Sequence, residues 1–142
     1  TQVYSSAASD VYKRQETVFR AWTEPEQLKH WSAPEGLDVA HVEADPRVGG
    51  RYHIRMVNAE GVAHNAIGVY QEVEFPSRLV YTWRWQEEEH DVGETRISVE
   101  LKKKGDGTEV VLTHELLPND EAKLAHEQGW TSCLNRLEAL HA

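Results

Sequence analysis

The chain has 142 residues, 39% of them hydrophobic and 27% charged, with a formal net charge of −9 at pH 7. That length supports one domain with its own core and not two, and the excess of acid disfavours nucleic acid and anionic membrane surfaces as partners. No apolar run approaches the ~20 residues of a membrane-spanning helix, and the lone Cys133 permits no internal disulfide, so membrane insertion is not expected and a reducing, cytoplasmic setting is.

Ser5-Ser6-Ala7-Ala8-Ser9 has no apolar period and reads as loop or disorder. Ser5 to Gln15 also resembles a translated adapter string. Residues 1–15 are therefore expected to be non-native or disordered, standing in place of the first strand of a single domain over 16–142. From Glu16 the signals become orderly. Val18, Phe19 and Trp22 recur at helical spacing, predicting a helix of about two turns. Thr23-Glu24-Pro25-Glu26 reads as a second helix start with a capping box, leading to Leu28 and Trp31.

A run of strands follows. Val39–Ala44 is short and ends at Asp45-Pro46. Gly50–Val57 alternates Tyr52, Ile54 and Met56 against His53 and Arg55, and Asn58-Ala59-Glu60-Gly61 signals a hairpin. Ala63–Glu74 comes next. Leu79–Trp85 then places Leu79, Tyr81, Trp83 and Trp85 on one face, because strand side chains alternate. After a charged loop over Glu87–Gly93, Thr95–Lys103 presents Ile97, Val99 and Leu101 on one side. Thr108–Glu115 presents Val110, Leu112 and His114. The last segment enters a helix at Pro118-Asn119-Asp120-Glu121 and carries Trp130, Cys133, Leu134, Leu137 and Ala139 or Leu140 at spacings of three and four. The order predicts an α+β layer: a curved antiparallel sheet of about six strands, its inner face gripped by the long C-terminal helix, with two short helices near the start.

The inward set Trp31, Tyr52, Ile54, Met56, Tyr81, Trp83, Trp85, Leu112, His114, Trp130, Cys133 and Leu137 forms the candidate lining of a cavity between sheet and helix. The residues alone leave two readings open, since a filled core and a pocket wall demand the same residue types. Eight histidines raise the question of a metal. No His-x-x-x-His spacing or cysteine partner supports zinc, although His53 and His64 are placed to oppose each other across a hairpin. Neither a metal nor a cofactor is expected. For proton transfer, His126 with Glu127 and His114 are candidates, as is Glu72 if its carboxylate turns inward. No nucleophile elbow or phosphate-cradling glycine loop is present.

Several segments, taken together, resemble a known family. Thr17-Val18-Phe19-Arg20-Ala21-Trp22-Thr23-Glu24-Pro25-Glu26-Gln27-Leu28 with Trp31 is similar to the opening helices of SRPBCC-superfamily proteins. Arg47–Tyr52, Gly68–Val73, Leu79–Trp83 and His126–Trp130 with Leu134 and Leu137 follow in the same order. The branch resembled is that of homologues of the activator of the heat-shock-protein-90 ATPase. The resemblance implies a helix-grip fold, shared with birch-pollen-allergen-like and steroidogenic-acute-regulatory lipid-transfer domains, and a cavity that holds hydrophobic small molecules. It favours pocket wall over filled core, with a small hydrophobic or amphipathic molecule as partner. A chaperone-directed interaction module, with self-association as a further contact, and a cyclase- or hydrolase-type enzyme are the alternatives.

Overall fold

The computed structural model describes residues 3–141. Seven strands form a single antiparallel sheet in the order β1-β7-β6-β5-β4-β3-β2. They are β1 (Val3–Val11), β2 (Asp38–Ala44), β3 (Arg51–Val57), β4 (Ala63–Glu74), β5 (Arg78–Trp85), β6 (Thr95–Lys104) and β7 (Gly107–Leu117). Helices α1 (Gln15–Thr23) and α2 (Pro25–Leu28) lie between β1 and β2, and α3 (Asp120–Leu140) closes the chain. Because β1 and β2 are opposite edges of the sheet, the segment that carries α1 and α2 must span its width. With α3 this gives the helix-grip, α+β arrangement that the element order predicts.

The segment expected to be loop or disorder is instead strand β1, an edge of the sheet. Ser5 to Val11 pair residue by residue with His114 to Thr108 of β7, and Ser5, Ala7 and Val11 are buried. The inward positions are small rather than large, which hides the period from a hydrophobic count and lets α3 lie close against this edge. The capping box also gives way. Thr23 closes α1, its hydroxyl donating to the Phe19 carbonyl at 3.0 Å, and Glu24 takes the N-cap position of α2. At α3 the expected entry holds: Asn119 Oδ1 accepts from the Ala122 N–H at 2.9 Å. The apolar stripe of α3 ends at Leu137, and Ala139 and Leu140 are exposed.

One core runs under the whole sheet. Val18, Phe19, Ala21 and Trp22 of α1 pack into it beside Trp31, whose indole N–H donates to the Ala21 carbonyl at 2.9 Å. From the sheet come Tyr52, Ile54 and Met56 of β3, Tyr81 and Trp83 of β5, and Leu112 of β7. Helix α3 supplies Trp130, Cys133, Leu134 and Leu137. A β-bulge between Tyr70 and Glu72 shifts the β4–β5 register and turns Glu72 outward, where it meets Arg78 at 3.4 Å. Glu72 is thus a surface ion-pair residue and not an inward carboxylate.

Candidate functional site

Along β5 the inward face changes character from one end to the other. Tyr81 is core: its hydroxyl accepts the Trp22 indole N–H at 3.1 Å and its ring meets Tyr52 edge-on at 5.2 Å. Trp83, 3% exposed, packs Trp130 at 5.0 Å with the rings inclined at 60° and Trp85 at 5.4 Å with the rings perpendicular. Trp85 is half-buried. Such edge-to-face contacts suit the ring quadrupoles and fix the relative orientation of the indoles.

Trp83 separates two spaces. On one side, Trp31, Tyr52, Ile54 and Tyr81 surround, with Trp83 and Trp130, an inner void of about 20 Å³, room for roughly one water. On the other, Trp83, Trp85, Trp130, Met56 and Cys133 wall a cleft of about 510 Å³ that opens to solvent, well inside the roughly 300–1,000 Å³ range of small-molecule sites. Ala122, Ala125, His126 and Gly129 of α3 form one side of this cleft. Glu89, His90 and Val92 of the β5–β6 loop, with His64, form the opposite rim, and Ser32, Pro34 and Leu37 close its end. The rim is tied in place. Arg84 meets Asp91 at 2.8 Å in the loop, and Arg136 donates to the carbonyls of Ala33 and Leu37 at 2.9 and 3.1 Å.

Two histidines support the indoles. Thr95 donates its single hydroxyl proton to the Trp83 carbonyl at 2.8 Å, so towards His114 Nε2, 2.7 Å away, it accepts. His114 therefore carries its proton on Nε2 and leaves Nδ1 bare, and Nδ1 accepts the Trp130 indole N–H at 3.1 Å. In His126 the roles are reversed. Nδ1 faces the Ala122 carbonyl at 2.8 Å and must donate, while Nε2 accepts the Trp85 indole N–H at 3.1 Å. The two imidazoles meet edge-to-face at 4.7 Å. A further proton on either ring would set two N–H groups against each other. Burial, and next the neighbouring His126, push the basicity of His114 down to about 3; burial also lowers that of His126. Neither ring offers a free nitrogen for proton transfer in this arrangement.

Trp83 differs from its neighbours. Its indole N–H is buried and has no hydrogen-bond partner. Leaving such a donor unmet costs about 1–3 kcal/mol, and the atom is sealed from solvent behind the surface of the cleft. Cys133 shares this wall, and burial pushes its thiol up to about 12, which keeps it protonated and apolar in character.

The twelve residues predicted from sequence thus do not share one cavity. Met56, Trp83, Trp85, Trp130 and Cys133 line the cleft; Trp31, Tyr52, Ile54 and Tyr81 line only the inner void. Leu112, His114 and Leu137 line neither and are fully buried, His114 acting through Trp130 from behind the wall. The sequence reading missed the small and polar lining from Gly129, Ala125, Ala122, Glu89 and Val92, since nothing in their residue types marks a cleft. His53 and His64 do not oppose each other: Ile67 lies across from His53 and Met56 across from His64. Among the described residues, His41, Glu43 and His53 bring possible ligand atoms within 4.8 Å of one another, but they do not line the cleft.

The comparisons with known proteins agree on this fold. The family model described as Activator of Hsp90 ATPase homolog 1-like protein matches residues 14–142. Protein CV1439 from Chromobacterium violaceum superposes with a TM-score of 0.89 at 27% identity, over 97% of this chain and 96% of its own. The AHSA1 protein from Silicibacter pomeroyi gives 0.87 at 29%, over 97% and 96%. No curated protein sequence matches.

Proposed function

The chain belongs to the family of activator of Hsp90 ATPase homolog 1-like proteins, and from that premise we propose that it binds a small, largely apolar molecule in the cleft between the sheet and α3. The observation that carries the reading is the cleft of about 510 Å³ with the three indoles Trp83, Trp85 and Trp130 in its wall. A guest with an apolar body would cover the indole faces that the cleft presents. Burial contributes at ~25 cal/mol per Å² of apolar surface, and the polar residues of the rim set orientation. The protonated, lone thiol of Cys133 suits a reducing cytoplasm.

A cyclase- or hydrolase-type reaction finds less support, because His114 and His126 have both ring nitrogens engaged. A chaperone-directed docking role finds less as well: among the described residues, the large exposed apolar side chains Tyr4, Tyr12, Val48, Val62, Phe75, Leu116, Leu124 and Leu140 are spread over β1, β7, α3 and four connecting segments.

Native mass spectrometry of the chain purified from cell extract tests the proposal. Retained small-molecule mass is expected in the wild type and not in Gly129→Trp, where the new ring occupies the cleft. Equal retention by both chains, or none across several extracts, would overturn it.

A further inference from the structure

Among the described residues, the carboxylates that border the cleft, Glu89 and Glu121, have no lysine or arginine beside them in its lining. The two carboxylates stand on opposite banks, Glu89 on the β5–β6 loop and Glu121 in the first turn of α3, and both are exposed. The three indoles Trp83, Trp85 and Trp130 lie between them. Three imidazoles border the cleft, His64 and His90 at the rim and His126 in the wall; burial and the Trp85 N–H on its Nε2 keep His126 neutral, so it adds no positive charge.

The N-terminal end of α3 also borders the cleft, and a helix start carries a partial positive charge. Here Asn119 Oδ1 caps the Ala122 N–H, and Asp120 and Glu121 supply two full negative charges in the same turn. The net field at this end is negative. Arg136, the cation one turn beyond Cys133, directs its guanidinium to the Ala33 and Leu37 carbonyls and does not line the cleft.

We infer that the cleft takes an amphipathic molecule with a protonated amine at its solvent end and discriminates against the corresponding carboxylate. The inference rests on the cleft being a binding site. Three effects act together on an ammonium head: attraction to Glu89 and Glu121, attraction to the indole faces, and the overall acidity of the chain, which is −9. The same three repel a carboxylate head. Each exposed pair is weak singly, but the difference between opposite heads counts every one twice.

The test compares decylammonium, decanol and decanoate, which share one tail, by titration of the intact chain with tryptophan fluorescence at low salt. The ammonium is expected to bind about tenfold more tightly than the carboxylate, and the ratio to shrink as salt screens the rim. In the Glu89→Gln/Glu121→Gln chain the ratio is expected to fall to about twofold. Decanoate binding as tightly as decylammonium, while Gly129→Trp abolishes binding of both, would overturn the charge preference and leave the cleft standing. Failure of all three probes, or binding of all three that Gly129→Trp leaves untouched, would instead remove the cleft as the site and the preference with it.

Discussion

Trp85 and His126, separated by 41 positions in sequence, are joined by one hydrogen bond: the indole N–H donates to imidazole Nε2 at 3.1 Å. Trp130 and His114 repeat the arrangement at 3.1 Å deeper in the protein. In each pair the ring nitrogen that would take up a proton is already an acceptor, which ties the integrity of this wall to pH.

In the unfolded chain both histidines titrate near 6.5, roughly the ordinary value. In the folded chain burial, and next the neighbouring His126, hold His114 down to about 3. Between these values the unfolded chain binds more protons, so stability is complete above about pH 7 and declines on acidification. The decline attributable to His114 is at most about 1.4 kcal/mol per pH unit. Urea unfolding from pH 7.5 to 4.5 is expected to show this slope in the wild type and a shallower one in His114→Gln. Parallel slopes would exclude His114 as the source.

Trp85→Phe keeps a ring against the cleft but removes the N–H that occupies His126 Nε2. The freed nitrogen is expected to accept a proton more readily, raising the His126 midpoint in an NMR titration of its ring protons. A midpoint that stays in place would mean that burial alone, without the indole, sets it.

Gly68 sits beneath the Tyr52 ring on the neighbouring strand. A Cβ there would overlap the Thr82 carbonyl and the Tyr52 ring, whose hydroxyl is bonded to that same carbonyl. Gly68→Ala is expected to cost about 1–3 kcal/mol by overpacking, read as a lower urea midpoint with unchanged slope. A neutral effect would show that the β5 backbone at Thr82 and the Tyr52 ring can both give way.

Leu116 adopts φ 68° on β7, beside the register shift that pairs β1 with β7. This left-handed backbone costs a residue with a Cβ about 1 kcal/mol, and more for a branched one. Leu116→Asn is expected to match or exceed wild-type stability, and Leu116→Val to fall below it. The reverse order in thermal melts would refute this account.

Gly129 lies mid-helix on α3, with nothing within 4 Å of where a Cβ would stand. Gly129→Ala is expected to stabilise the chain by up to about 1 kcal/mol through helix propensity, while the cleft loses little width. A destabilised alanine variant would point to a neighbour that the open space conceals.

The parts of the fold legible in sequence were those with a strong period. The alternation in β3, β5, β6 and β7 and the entry to α3 at Asn119 lie where the residues place them. Strand β1 was hidden because Ser5 and Ala7 are too small to register as apolar, although the sheet buries them as it buries Val11. The site was half legible. The face of β5 announced large rings, but alternation cannot tell Tyr81, locked against Tyr52 and Trp22, from Trp85, which borders open space. That distinction depends on what α3 brings opposite, and at Ala125 and Gly129 it brings almost nothing.

Trp83 stands in both compartments at once, and this restricts how relatives of the chain can diversify. A change at that position alters the hidden interior and the binding surface in the same step, so new guest preferences cannot arise there without a stability penalty. The free positions are those that line the cleft and not the inner void: Ala125, Gly129, Val92 and Glu89. Novel specificities in this lineage should therefore be written on one helix face and one loop, with the indole partition left unchanged.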